Sequence, residues 1–288
     1  MKTILIPTDF SSCSDKAVEF GIEIAKRTNA HILLVNSFFV PVLDINVPPT
    51  MLEGMYEAEE KNAEVKLKEI CKRIKVQTGT NHKSLSCSYV VEQNLPESEI
   101  EKIATREHAD LVIMGSKGKE GVLGLWRSIT LGTTKRLHCP ILVVKEDTEF
   151  THFHKIDFAL ENVKEELKSI KKLVEFAKIF HAEVTLVHVE KHAKSSDDIQ
   201  RIYENTEDAA SFMPSIKEFC DYEYINHATV LSGDTAEGLL KYLKGTKADV
   251  LSLLRYDRNW IEELFHKSVI KSMIGECTSA LLIIPKEN

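Results

Sequence analysis

The chain has 288 residues, 37 Lys and Arg against 44 Asp and Glu, a net charge of -7 and 43% hydrophobic residues. That length suits one large domain or two ordinary ones, and the hydrophobic share belongs to a chain that folds rather than one that stays disordered. The acidic balance excludes a general nucleic-acid binder, which needs a basic face.

From the N-terminus, Lys2–Thr8 is a short apolar run and predicts a buried strand. Ser11, Ser12 and Ser14 precede a helix with Ala17, Val18, Ile22 and Ala25 along one stripe and a serine as its cap. His31–Phe38 predicts a second strand, and Pro41, Pro48 and Pro49 a loop after it. A long charged helix runs from about Met51 to Val76, its Lys/Glu-rich face turned to solvent. Leu85–Val91 predicts a third strand, and Pro96 opens a helix through Ile100, Ile103 and Ala104. Leu111–Met114 and Ile141–Val144 are the fourth and fifth strands.

The second half runs the same way. Strands are expected at Lys155–Leu160, Val184–Val189, Tyr222–Leu231, Val250–Leu254 and Ala280–Ile284, with helices at about 163–181, 197–220, 235–246 and 263–277. Ala109-Asp110-Leu111 returns as Ala248-Asp249-Val250, 139 residues on (109 to 248). Ala30-His31-Ile32-Leu33-Leu34-Val35 returns as Ala182-Glu183-Val184-Thr185-Leu186-Val187, 152 residues on (30 to 182). Buried strands alternating with helices predict parallel sheets covered on both faces. The chain therefore reads as two α/β domains in series, 1–147 and 153–288, divided in the polar stretch Glu146–His152. An intramolecular pseudo-dimer of the two domains is the expected arrangement, with a homodimer as the further assembly.

Charge separates the halves. Residues 1–146 hold 19 Lys/Arg and 19 Asp/Glu and sum to zero; residues 147–288 hold 18 and 25 and sum to -7. An anionic ligand meets less repulsion in the first half. The six cysteines form no C-x-x-C pair, which speaks against a zinc site or a disulfide framework and predicts reduced, mostly buried thiols. His152-Phe153-His154 offers two alternate histidines and no further metal ligand. No apolar run approaches the ~20 residues of a membrane span, and the opening Met1–Pro7 is too short for a signal segment. A soluble cytoplasmic protein without membrane or nucleic-acid partners is expected.

Two segments lie where open α/β sheets bind ligands, beyond the carboxyl ends of strands. One is Pro7-Thr8-Asp9-Phe10-Ser11; the other is Met114-Gly115-Ser116-Lys117-Gly118. Glycines there reach φ > 0 and bare the backbone N–H groups to a phosphate. Lys117 and Arg127 add charge for the same oxygens. Asp9 has two uses, as an acceptor for a ribose hydroxyl or adenine amine and as a helix-capping group with Ser11 or Ser12. Neither G-x-x-x-x-G-K-[ST] nor G-x-G-x-x-G after the first strand is present, which excludes a Walker loop and argues against a dinucleotide site. No histidine is tied by motif to Asp9 and the serines, so no catalytic residue is assigned.

Ile4-Leu5-Ile6-Pro7-Thr8-Asp9-Phe10-Ser11, Ala109 through Gly118, and Cys139-Pro140-Ile141-Leu142-Val143-Val144 together resemble the universal stress protein family. The likeness covers the first half in order and extends more faintly over the second, through Ala248-Asp249-Val250 and Leu281-Leu282-Ile283-Ile284. It implies an α/β fold of two tandem five-stranded parallel-sheet domains, Rossmann-like and of the adenine nucleotide alpha hydrolase-like type. It implies a stress-response sensor or regulator that binds ATP, ADP or AMP in its N-terminal domain, with Mg²⁺ accompanying ATP, and at most a slow ATPase. The alternative is a nucleotide-free dimerisation scaffold of the same fold. By similarity, Pro7 and Asp9 flank adenine, Ser37 lies at its edge, and Met114, Gly115, Lys117 and Gly118 surround ribose and phosphates. Where some members carry G-[ST] after nine residues, this chain carries Arg127-Ser128 after eight, with Ile129 following; Gly132-Thr133, after thirteen, is the other alignment. Arg127 replaces a close backbone approach with a cation. The second half has Phe158-Ala159-Leu160-Glu161 and Leu253-Leu254-Arg255-Tyr256 at the matching places, with no glycine, and is expected not to bind nucleotide this way. Its Arg255 and Arg258 read as solvated surface arginines, with binding of some other anion as the alternative.

Overall fold

The apolar runs become parallel strands in the computed structural model, which describes residues 1–40, 48–77, 79, 83–94, 96–116, 132–133, 137–148, 152–161, 163–190, 212–256 and 264–286. The chain divides into two compact units between Glu146 and Asp147.

The first unit runs β1 (Thr3–Pro7), α1 (Ser12–Thr28), β2 (His31–Ser37), α2 (Pro49–Lys75), β3 (Cys87–Glu92), α3 (Pro96–Arg106), β4 (Leu111–Ser116) and β5 (Ile141–Lys145). Its strand order is β3-β2-β1-β4-β5, each neighbouring pair parallel. Ile4, Leu5 and Ile6 are each fully buried, because a central parallel strand is covered on both faces and so reads as an unbroken apolar run. The order of strands reverses between β1 and β4, which opens a crevice above their carboxyl ends.

Helix α1 sets one wall of that crevice. Ser11 is its N-cap, with extended backbone, and its hydroxyl accepts from the Ser14 N–H at 3.4 Å. Cys13, Ala17, Phe20 and Ile24 form the buried stripe. Asn29 ends the helix in the left-handed region (φ 55°), its N–H bonded to the Ala25 carbonyl, and Lys26 and Arg27 face the negative end of the helix dipole.

The second unit runs β6 (Lys155–Leu160), α4 (Val163–Lys178), β7 (Glu183–Glu190), helical residues 212–220, β8 (Ile225–Leu231), α5 (Thr235–Thr246), β9 (Val250–Arg255), α6 (Leu264–Glu276) and β10 (Ala280–Pro285). Its strand order is β10-β9-β6-β7-β8, again parallel throughout.

The same polar devices recur in both units. Asp110 accepts the N–H groups of Lys2 and Thr3 at 2.5 and 2.9 Å, and Asp249 accepts those of His154 and Lys155 at 2.7 and 2.8 Å. Asn36 Nδ2 donates to the Thr8 carbonyl at 2.7 Å, and His188 Nδ1 lies 3.0 Å from the Leu160 carbonyl.

Two expectations change, and part of a third falls on residues that are not described. Cys71 and Cys87 are joined in a disulfide between α2 and β3, their Cα atoms 5.5 Å apart, so not all thiols are reduced. Packing of α2 on β3 brings them together; a separation of 16 residues carries no motif. Cys13, Cys220 and Cys277 are free and buried, and Cys139 is free and half-buried. The eighth strand begins at Ile225 rather than Tyr222, because Tyr222 turns back to donate its hydroxyl to the Ala182 carbonyl at 2.7 Å. Residues 197–211 of the expected helix lie outside the described residues.

Candidate functional site

The Pro7–Ser14 segment and the end of β4 meet at the crevice between β1 and β4. Their approach depends on Gly115. A Cβ built there would fall on the Cys13 carbonyl and lie 2.9 Å from the Ser14 nitrogen. The glycine thus serves close packing of β4 on the first turn of α1. The expected positive φ is not what the fold uses, since no described glycine has one. Within the Pro7–Ser14 segment it is Phe10 that adopts it (φ 64°), a conformation that costs an L side chain about 1 kcal/mol. Lys66 from α2 places its ammonium 4.8 Å from the centre of the Phe10 ring.

Asp9 divides its carboxylate. Oδ1 accepts the Ser11 N–H at 3.0 Å and the Ser11 hydroxyl at 2.6 Å, an Asx turn that sets the cap of α1. Oδ2 takes no hydrogen bond from the described residues, which leaves it for a ligand donor. Thr8 and Ser14 are buried beside it; the Thr8 hydroxyl donates to Ser14 Oγ at 3.0 Å, and Ser14 Oγ donates to the Ser11 carbonyl at 2.9 Å. Ser37, at the end of β2, donates its hydroxyl to the Asn94 carbonyl at 2.6 Å. The thiol of Cys13 lies 3.5 Å from a carboxylate oxygen of Glu146, just beyond β5.

Two hydroxyl residues of this unit, one of them in the alternative Gly132-Thr133 alignment, are buried more deeply than the sequence indicates. Ser116 ends β4 with no exposure, and its Oγ has no hydrogen-bond partner among the described residues. Thr133, in the helical residues ahead of β5, is likewise fully buried, with Oγ1 unpartnered among the described residues. A buried hydroxyl without a partner costs about 1–3 kcal/mol, so such groups mark places where something else completes the bond. The signal available in the sequence was a hydroxyl residue beside each glycine, Gly115-Ser116 and Gly132-Thr133.

Of the expected site residues, Pro7, Asp9 and Gly115 come together at the crevice. Met114 is also there, but its side chain is buried in the core at 1% exposure, so only its backbone faces outward. Ser37 stands one strand away, on β2. Lys117, Gly118, Arg127, Ser128 and Ile129 lie outside the described residues, as does Arg258. Arg255 is not a solvated surface residue: it ends β9 at 3% exposure. His152 bonds through Nε2 to the Phe180 carbonyl at 2.7 Å, and Phe153 packs edge-on against Phe180, so this pair serves packing. Among the described residues no three His, Cys, Asp or Glu lie together to hold a metal, and no helix is long and apolar enough to cross a membrane.

The sequence model of the universal stress protein family matches residues 1–145. A universal stress protein of Methanocaldococcus jannaschii is 31% identical over 146 residues, which cover 50% of this chain and 82% of that protein. A solved universal stress protein from Archaeoglobus fulgidus aligns with a TM-score of 0.68 over 99% of this chain and 97% of its own, at 16% identity. A functionally unknown protein from Pseudomonas aeruginosa aligns with a TM-score of 0.60 over 99% and 93%, at 12% identity. At these identities the structural likeness is one of fold.

Proposed function

The chain belongs to the universal stress protein family, and from that premise we propose that it is a tandem member whose first unit binds an adenine nucleotide and acts as a stress-response sensor or regulator. The observation that carries the reading is Ser116, a fully buried hydroxyl with no partner among the described residues, at the carboxyl end of β4, where the strand order reverses. The residues fit the group. Asp9 Oδ2 would accept from a ribose hydroxyl or the adenine amine, and Ser116 would donate to a phosphate or ribose oxygen. Lys117, Gly118, Arg127 and Ser128 follow in sequence and, by the family resemblance, would serve the phosphates. Mg²⁺ would arrive with ATP. The neutral charge balance of residues 1–146 suits an anion better than the acidic second half. Binding would favour one conformation of the stretch 115–128 and so alter a surface read by a partner protein.

Calorimetry with ATP, ADP and AMP tests this. A dissociation constant below ~1 mM for at least one of them is expected. Ser116→Ala should weaken it about tenfold, the worth of one hydrogen bond to a charged group, without lowering the stability of the ligand-free protein. Absence of binding below ~1 mM would reject the reading.

The scaffold reading draws on Arg127, where the family carries glycine. Gly118→Val separates the two: loss of stress function in cells favours the nucleotide, and unchanged function favours the scaffold. Catalysis is not part of the proposal. ATP left unchanged after long incubation with Mg²⁺ is the expected result.

A further inference from the structure

We infer that the second unit carries its own anion: the carboxylate of Glu166 occupies the strand-end corner that the first unit lines with hydroxyls, and closes it to phosphates and carboxylates from solution.

The two units can be compared position by position. The pairing Thr3↔His31 answers Lys155↔Glu183, an offset of 152 on both strands (3 to 155, 31 to 183). Thr8 therefore corresponds to Leu160, Asp9 to Glu161 and Ser14 to Glu166. The Asp110 and Asp249 brackets set the later offset at 139 (110 to 249), so Gly115 corresponds to Leu254 and Lys117 to Tyr256. Where the first unit has the small hydroxyl of Ser14, the second has a glutamate. Where it has Gly115, the second has the buried side chain of Leu254.

Glu166 is 1% exposed. A carboxylate at that depth persists only when donors surround it. The Glu161 N–H, the first donor beyond β6, points to it at 3.3 Å from Oε1 and 3.5 Å from Oε2. The Tyr256 hydroxyl, just past β9, donates to Oε1 at 2.7 Å, a charge-assisted bond. Lys286 places its ammonium 4.3 Å from the centre of the Tyr256 ring. Glu166 also lies in the opening turns of α4, near the positive end of its dipole. Main-chain donor, hydroxyl and helix end are the parts that would hold a bound oxyanion, and this side chain already satisfies them. Resting on the reading proposed above for the first unit, the consequence is one nucleotide per chain.

The test removes the tethered carboxylate and offers it back untethered. Glu166→Ala deletes the atoms that acetate supplies. In the full-length protein, melting is followed with sodium acetate added against sodium chloride at constant ionic strength. The Glu166→Ala protein should melt below the wild type and regain about 2–4 °C, saturably, at acetate ten times its dissociation constant. Wild type and Glu166→Gln, in which the corner stays filled, should not respond. If the alanine variant does not fold, Glu166→Ser, which restores the first unit's residue, takes its place with the same expectation. No acetate-specific rise, or an equal rise in wild type or Glu166→Gln, overturns the inference. So does a count of two nucleotides per wild-type chain. A count of zero would instead retire the nucleotide reading of the first unit and leave the acetate result standing.

Discussion

At Gly115 the main chain of β4 runs against the main chain of α1. The Cys13 carbonyl and Ser14 nitrogen that a Cβ would meet are backbone atoms, which cannot rotate aside. Gly115→Ala should therefore cost the first unit about 2–3 kcal/mol as strand and helix are forced apart. Urea unfolding measures it, and a loss under about 0.5 kcal/mol would mean the helix yields freely. The sequence marks this glycine, but for another reason. A strand-to-turn position suggests a need for φ > 0, whereas the real constraint comes from residues about a hundred positions earlier in the chain, which no local pattern contains. Asp9 shows the reverse. Capping and ligand binding were both legible as uses of one carboxylate, and its two oxygens divide in a way that allows both. Ser116 stands in the same loop, but nothing in the string says that its hydroxyl is buried.

At the scale of elements, α5 is anchored to β6 through a buried acid. Asp157 has no exposure; Oδ2 accepts the Thr246 hydroxyl at 3.2 Å, while Oδ1 meets no hydrogen-bond criterion among the described residues. Burial raises its pKa from 3.8 to about 6, against smaller lowering effects from Lys155, Thr246 and Thr185. Burial also pushes the Tyr242 phenol, on α5, up to about 12. The native chain therefore keeps the Asp157 proton over a range where the unfolded chain has released it. The stability this gives is complete below about pH 4 and is lost as the pH rises through about 6. Asp157→Asn should remove that dependence. Urea unfolding at pH 4.5 and 7.5 should show the asparagine variant gaining on wild type at the higher pH by on the order of 2 kcal/mol. An equal difference at both values would show that the acid is not held protonated. The strand Lys155–Leu160 was read with the bounds the structure gives it. Its acid was not, since the partners arrive from α5, about ninety residues on. The Cys71–Cys87 disulfide was hidden for the same reason: it records how α2 packs on β3.

Across the whole molecule, two short matches in the sequence indicated a repeat, and the structure gives those matches a physical meaning. Ala-Asp-Leu and Ala-Asp-Val recur because Asp110 and Asp249 each bracket the N–H of the first residue of a central strand and that of the residue before it. Asn36 and His188 share no chemistry beyond a donor nitrogen, yet both reach the last carbonyl region of the neighbouring strand. What the repeat conceals is the difference between the corners, hydroxyl-lined in one unit and filled by Glu166 in the other. That difference should appear as one-sided protection. In hydrogen exchange with ATP at 100 times its dissociation constant, backbone amides at 8–14 and 114–116 should slow, by up to about a hundredfold where exchange requires loss of the ligand. Amides at 160–166 and 254–256 should keep their rates, because the carboxylate that protects them is present before any nucleotide is added. Equal slowing in both segments would mean that the second corner admits the ligand despite Glu166, and slowing confined to the second would move the site there.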